Sequence, residues 1–111
     1  KNAEGLFFYS PEPAVPSEEM RSFNRIFEER FHHSAHPLSR HSYDATMLTA
    51  TALYKCKLAP DCAKSEVYAT KNYNGASGTF SIDTDGGTKR EFVLKTVRDG
   101  KFVRSSDAPA L

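Results

Sequence analysis

The sequence predicts an α/β protein in which helices cover a sheet and an antiparallel hairpin lies towards the C-terminal end. Three observations predict it: an aromatic, strand-like run near the start, two segments with helical patterning, and a final third rich in tight-turn residues. We expect three layers, with helices over residues 17–31 and 41–54 lying on a sheet that includes residues 5–10.

The first strand is predicted at residues 5–10, which read GLFFYS and end at Pro11. A short apolar and aromatic run that stops at a proline is typical of a buried strand leaving a sheet. The following PEPAVP segment cannot be helical, because proline fixes φ and lacks the amide hydrogen. We therefore expect a rigid surface connection.

The first helix has a clear start and an apolar face. Ser17 is a good N-cap, and Glu18 and Glu19 occupy the first turn, where the helix dipole favours acidic side chains. The apolar residues on one face are Met20, Phe23, Ile26, Phe27 and Phe31. Such a stripe can form a groove for a partner, but packing in a core is the favoured interpretation.

Two further helices are predicted. The segment HHSAHPLSRHS is interpreted as a polar turn around Pro37, and the second helix starts at about His41 or Ser42 and ends at about Tyr54. Its many alanines and threonines let neighbouring elements approach closely, so we expect it to be well buried. A short third helix is predicted over residues 63–71, with Asp61 as its cap.

The last third predicts strands joined by tight turns. Residues 79–82 alternate like a strand, DTDGG forms a turn, and residues 91–97 form a second strand. We expect these two strands to pair through DTDGG. The sequence Arg98-Asp99-Gly100 predicts another hairpin turn before a strand at Lys101–Arg104, and the polar tail at residues 105–111 is expected to fray.

The two cysteines, Cys56 and Cys62, flank a segment that contains Pro60 and can turn. A disulfide there would contribute about 2 kcal/mol by the loop-entropy estimate. Two reduced, half-buried thiols are the alternative. A zinc site is disfavoured, because two cysteines without a second pair do not complete a tetrahedron. If the bridge forms, the compartment is oxidising.

Size and charge exclude several classes of function. The chain has 111 residues, a size that fits one domain, and 15 Lys+Arg against 14 Asp+Glu give a net charge of +1. This balance argues against nucleic acid as the main partner. No apolar run approaches the length of a membrane helix. The chain begins at Lys1 and has no signal-peptide pattern, which predicts that it is processed or cut from something larger.

No motif predicts catalysis, a metal or a cofactor. The densest cluster of chemically active side chains comprises His32, His33, His36 and His41. No acid accompanies it before Asp44, so a solvated loop is favoured over a metal site. DTDGG is not a calcium loop, because Thr88 and Leu94 stand where that loop needs Gly and Glu. No Ser or Cys has the context of a nucleophile, and we expect that the chain is not an enzyme.

Three motifs in order resemble a known family. They are Tyr43-Asp44-Ala45, the set Gly75/Gly78/Phe80/Asp83, and Asp99-Gly100-Lys101-Phe102. The chain resembles the C-terminal part of the type I periplasmic solute-binding proteins, in particular the branched-chain amino acid (Leu/Ile/Val) binding family of ABC transporters. The family's proteins are much longer. The resemblance therefore implies that residues 1–104 are a C-terminal lobe segment, mostly of the second lobe and the hinge, followed by the tail at 105–111.

The resemblance also implies a role for the loop before the second helix. In the family two lobes close on a small solute, and this loop reaches the mouth of the cleft. The ligand-cleft candidates are Leu38, Ser39, His41, Ser42 and, as a further candidate, Tyr43, for which packing in the core is the alternative. Asp44 is expected to cap or brace its own helix. The pair Cys56 and Cys62 is not a motif of the family.

The function implied by the resemblance is capture of an amino acid or similar small polar solute in the periplasm or at the extracytoplasmic face of the membrane. The solute would pass to an ABC transporter permease. The alternatives are a sensory receptor domain on the same fold, an enzyme or metal protein built on the histidine cluster, and a free-standing interaction domain. We also expect self-association of the isolated chain.

Overall fold

The computed structural model describes residues 3–106, so residues 107–111 of the predicted tail lie outside the described residues. The first part of the chain forms β1 (Phe7–Ser10), α1 (Glu18–Phe31), α2 (Pro37–Lys55) and α3 (Pro60–Tyr68). The second part forms β2 (Tyr73–Gly75), β3 (Gly78–Ile82), β4 (Thr88–Arg90), β5 (Val93–Arg98) and β6 (Lys101–Arg104). This mixture of helices and strands confirms the α/β class.

The strands form two small antiparallel sheets rather than one. The first has the order β1-β5-β6 and the second the order β2-β3-β4. The expected pairing of residues 79–82 with residues 91–97 is therefore wrong. DTDGG joins β3 to the short strand β4, with Ile82 opposite Thr88, whereas β5 pairs with β1, with Leu94 opposite Tyr9. Alternation within a strand indicates which face is buried, but it does not indicate which strand is the neighbour.

The C-terminal hairpin is confirmed. β5 and β6 pair across the turn at Asp99 and Gly100, both of which adopt positive φ (51° and 69°). This is the backbone geometry that a two-residue hairpin loop requires.

Two connections run side by side at one end of the first sheet. The Pro-rich residues 11–17 leave β1, and residues 91–92 enter β5. The Glu91 carboxylate accepts the N–H of Ala14 at 2.9 Å, and the Arg104 guanidinium donates to the carbonyls of Pro13 and Ala14. Glu12 forms a largely buried ion pair with Lys95 at 2.9 Å. The Pro-rich connection is therefore held to the first sheet.

The helices do not lie on the sheet that contains β1, so the expected three-layer stack is wrong. α1 contacts β2, and α2 packs against α3. The run of helices separates β1 from the five later strands, and of these β5 and β6 return to pair with β1, whereas β2, β3 and β4 form the second sheet.

The caps explain where the helices begin. The Ser17 hydroxyl accepts the N–H of Met20 at 3.1 Å, as predicted. α2 begins earlier than expected, because Pro37 occupies its first turn and the ring of His36 accepts the N–H of Leu38 at 3.2 Å. Proline suits the first turn of a helix, because the backbone N–H groups there have no acceptor within the helix and the absent N–H of proline costs no hydrogen bond. α3 begins at Pro60 for the same reason, and Asp61 lies in its first turn without capping it.

The helices are less buried than the sequence predicts. In α2 the buried residues are Asp44 and Ala52, and Tyr54 is 87% exposed. The small residues of α2 face solvent over most of its surface, because its packing on α3 uses one narrow stripe. Likewise, in α1 Met20 is buried but Ile26 and Phe31 are more than half exposed, so the stripe is only partly core.

The disulfide between Cys56 and Cys62 is present and closes the corner between α2 and α3. Cys56 packs with Ala52 and Ala63 in the buried cluster between these helices, next to Val67.

In residues 3–106 no helix is long and apolar enough to cross a membrane.

Candidate ligand-binding site

Asp44 joins α2 to the turn between β2 and β3. Its side chain is buried, with 2% exposure, and its carboxylate accepts the N–H of Ala76 at 2.7 Å and the N–H and hydroxyl of Ser77 at 2.8 and 2.5 Å. The expectation that Asp44 caps or braces its own helix is therefore wrong. A Cβ atom at Gly75 would overlap the Asp44 carboxylate, so only glycine fits there.

The five ligand-cleft candidates all lie in the first two turns of α2. Leu38 has His41 and Ser42 as neighbours, and Ser39 has Ser42 and Tyr43, since residues three and four apart in a helix are neighbours. Leu38 is 63% exposed and Tyr43 46% exposed, so this part of the helix meets solvent. His41 contacts Arg90, whereas the ring of Tyr43 packs against Phe23. The structure thus brings the five candidates into one helical segment, with His41 and Tyr43 directed to different neighbours.

A cleft of about 440 Å³ lies between α1, α2 and β2. Phe23, Tyr43, Met47 and Tyr73 form its apolar part, with the Phe23 and Tyr43 rings 5.1 Å apart, and Glu18, Glu19, Ser22 and Asn74 add polar groups. Burial and then the nearby Asp44 raise the pKa of Tyr73. The phenol of Tyr73 is therefore protonated at neutral pH and available as a hydrogen-bond donor.

Arg90 and His41 meet on the opposite side of α2. Arg90 Nη1 lies 2.9 Å from His41 Nδ1 and donates to the Ser77 hydroxyl at 3.3 Å, while the guanidinium lies 4.8 Å from the centre of the Phe80 ring. Burial lowers the pKa of His41 and the Arg90 charge lowers it further. His41 is thus neutral at pH 7, and its Nδ1 accepts the hydrogen bond from Arg90.

Sequence reasoning missed Arg90. It stands in a strand of three residues after the DTDGG turn, without a motif around it. The only local signal is a basic residue next to a tight turn, which is common on protein surfaces. Its pairing with His41, 49 residues earlier, depends on how the second sheet packs against α2.

The histidine cluster does not assemble into a metal centre in the part of the chain that the structure describes. His32 ends α1 in a left-handed conformation and His36 caps α2. His33 packs its ring against Phe27, with ring centroids 5.5 Å apart.

Comparisons with known proteins identify the fold. No family model and no curated protein matches the sequence. Among solved structures, a leucine-binding protein from Thermotoga maritima matches 94% of the chain at 25% identity, with a TM-score of 0.80. A substrate-binding protein of an ABC transporter from Desulfitobacterium hafniense, in complex with leucine, matches 93% at 27% identity, with a TM-score of 0.77.

This chain has the fold of one segment of a type I solute-binding protein. A branched-chain amino acid transporter substrate-binding protein from Streptococcus pneumoniae, in complex with isoleucine, agrees in fold over 86% of the chain at 23% identity, with a TM-score of 0.72. The chain spans 31%, 32% and 28% of the length of these three structures, respectively. The neighbours are binding proteins and not enzymes, which supports the same conclusion for the segment.

The fold of the neighbours gives the two sheets a simple explanation. Solute-binding proteins of this type consist of two lobes that move about connecting strands. In this chain residues 11–17 join β1 of the first sheet to α1, and residues 91–92 join β4 of the second sheet to β5 of the first. The chain therefore passes twice between the first sheet and the part formed by the helices and the second sheet.

Proposed function

We propose that this chain is part of an extracytoplasmic solute-binding protein and contributes one wall of its solute cleft. The intact protein captures an amino acid or a similar small polar solute and delivers it to the permease of an ABC transporter. The observation that carries this proposal is the TM-score of 0.80 with a leucine-binding protein over 94% of the chain. The 27% identical neighbour in complex with leucine supports the same class of solute.

We assign one wall of the solute cleft to the start of α2 and call the four residues Leu38, Ser39, Ser42 and Tyr43 the solute wall. Leu38 offers an apolar contact for an aliphatic side chain, and Ser39, Ser42 and Tyr43 offer hydroxyl groups for a carboxylate or ammonium group. Leu38 and Ser42 stand four residues apart and thus side by side. His41 is left out of this wall, because it faces Arg90.

The disulfide supports the extracytoplasmic location. Bridges such as Cys56–Cys62 form and persist in oxidising compartments and are rare in the cytosol.

A titration of the 111-residue chain with leucine, followed by amide NMR, tests the proposal. A single wall leaves much of the solute hydrated, so we expect a Kd of about 1 mM rather than about 1 µM. The shifts should concentrate at residues 38–43 and grow weaker in Leu38→Asp. The matched control Tyr54→Ala removes a side chain that is 87% exposed at the other end of α2 and should change nothing.

Two results would contradict the proposal. One is the absence of saturable shifts at residues 38–43, and the other is equal weakening in Leu38→Asp and Tyr54→Ala. Parallel titrations with isoleucine and with benzoate then compare aliphatic amino acids with an aromatic acid.

A further inference from the structure

A second cavity lies along the side of α2 that carries His41, Asp44 and Leu48. Its volume is about 520 Å³, and it lies between α2 and the sheet β2-β3-β4. Its apolar wall is formed by Pro11, Leu48, Val67, Phe80, Ile82 and Phe92. A concave apolar space of this size with a few polar groups is typical of a site for a small organic molecule.

The guanidinium of Arg90 borders this cavity and is half-buried. Within residues 3–106 its hydrogen bonds to His41 and Ser77 both involve Nη1, and no carboxylate there forms an ion pair with it. Arginine carries five N–H donors, so the donors of Nε and Nη2 remain available. Burial lowers the pKa of Arg90, and the charge of Asp44, which also lines the cavity, partly opposes this effect.

The acidic side chains closest to Arg90 are committed elsewhere. Both carboxylate oxygens of Asp44 accept hydrogen bonds from Ala76 and Ser77, and the Glu91 carboxylate accepts the N–H of Ala14. A partly buried cation without a direct ionic partner is costly. An anion that reaches the free donors of Arg90 would lower that cost.

We propose that this cavity binds a small organic carboxylate with an apolar body. The carboxylate accepts two hydrogen bonds from Nε and Nη2 of Arg90, the paired geometry in which arginine recognises carboxylates best. The body of the ligand packs among Leu48, Val67 and Phe80. This site shares none of the wall residues Leu38, Ser39, Ser42 and Tyr43, although His41, which stands among them in the sequence, lines the cavity.

Phenylacetate is the probe, and the neutral, nearly isosteric phenylacetamide is its control. In an amide NMR titration of the 111-residue chain, phenylacetate should cause saturable shifts at Val67, Ile82 and Thr88, with a Kd of about 1 mM, as is usual for a ligand of this size. Phenylacetamide should bind about tenfold more weakly or worse, because it cannot form charge-assisted hydrogen bonds.

Two pairs of variants test separately whether binding depends on the charge of Arg90 and on the space inside the cavity. Arg90→Gln should weaken phenylacetate binding about tenfold, and Arg90→Lys should weaken it less, because it keeps the charge without the paired donors. Ala45→Phe adds a ring to the cavity wall and should abolish binding, whereas Ala50→Phe, also exposed on α2 but away from this cavity, should leave it unchanged.

Several outcomes would overturn the proposal. They are the absence of saturable shifts at the cavity residues, equal binding of phenylacetate and phenylacetamide, and equal loss of binding in Ala45→Phe and Ala50→Phe. If Arg90→Gln does not fold, the comparison of the two probes and the two alanine variants still decides. Leucine shifts at Leu38, Ser39, Ser42 and Tyr43, none of which lines this cavity, are scored separately, so failure of either site is visible alone.

Discussion

At the scale of single residues, Asp44 links the chemistry of the site to the stability of the fold. Asp44→Ala would leave two buried backbone N–H groups of Ala76 and Ser77 without acceptors and remove a charged acceptor from the Ser77 hydroxyl. We expect the free energy of unfolding to fall by about 3 kcal/mol, measured by urea unfolding. Asp61→Ala, at an exposed aspartate in α3, should cost under about 0.5 kcal/mol. Equal losses in the two variants would contradict this role of Asp44.

His41 predicts a pH dependence of stability. Burial and Arg90 lower its pKa below the usual 6.5, while the Pro11 carbonyl and Asp44 act in the opposite direction and Arg40 adds to the lowering. The unfolded chain therefore takes up the proton at a higher pH than the folded chain does. Above about pH 6.5 His41 is neutral in both states, and as the pH falls from there towards its folded pKa the stability decreases.

The measurement is urea unfolding between pH 7.5 and pH 5. We expect His41→Asn to flatten the decrease of stability over this range, and His33→Asn, at an exposed histidine, to leave it as it is. An identical decrease in the wild type and in His41→Asn would show that another group controls it.

At the scale of elements, local signals were predictable and pairings between distant segments were not. The Ser17 cap, the strand near residues 5–10 and the Asp99-Gly100 turn follow from residue types at short range, and the structure confirms them. The separation of β3 from β5 does not follow, because a strand's alternation is the same whichever neighbour it has.

The site shows the same division between local and long-range information. The sequence predicted Leu38, Ser39, His41 and Ser42 together in the loop before the second helix, whereas the structure places them in the first turns of α2. The helical turn directs His41 to Arg90, which proximity along the chain does not indicate. The Arg90 contact joins residues 49 apart, and no spacing rule reaches across that distance.

The corner between α2 and α3 depends on its disulfide. Lys57 and Leu58 both adopt positive φ (50° and 66°), a conformation that non-glycine residues rarely adopt, between the bridged Cys56 and Cys62. Reduction, or Cys62→Ser, should lower the free energy of unfolding by about 2 kcal/mol. Thiol titration of the unfolded, non-reduced chain should find no free thiol, and two free thiols would show that the bridge is absent. Ser65→Ala, an exposed change in α3, is the control for the stability measurement.

At the scale of the whole molecule, the chain is more extended than a self-contained domain of its length. Its radius of gyration is 16.5 Å, against about 13 Å for a compact domain of 111 residues. Its accessible surface of 8128 Å² exceeds by about 2,000 Å² that of a typical folded monomer of 12.4 kDa. The excess matches what one partner buries in a large, permanent interface.

The exposed apolar side chains show where the extra surface lies. Ile26, Phe31, Tyr43 and Met47 on α1 and α2 are 53%, 51%, 46% and 42% exposed. They lie along the cleft between the two helices and along a groove of about 290 Å³ formed by Phe27 and its neighbours. Contiguous apolar surface of this kind is typical of an interface. The chain spans about a third of the length of the solved neighbours.

The isolated chain should therefore pair with itself and bind amino acids negligibly at micromolar concentrations. Two copies that bury the α1–α2 face remove the exposed apolar area in the simplest closed arrangement, a twofold dimer. Light scattering should report a mass near twice 12.4 kDa. Ile26→Glu should return it to the monomer, because a carboxylate in the interface opposes burial. Tyr54→Glu, at the far end of α2, should leave the dimer intact.

Calorimetry with leucine, isoleucine and valine should detect no micromolar site, since one wall supplies about half of the −8 kcal/mol that such a site needs. A monodisperse monomer that binds one of these amino acids at micromolar concentration would show instead that the chain is a complete receptor.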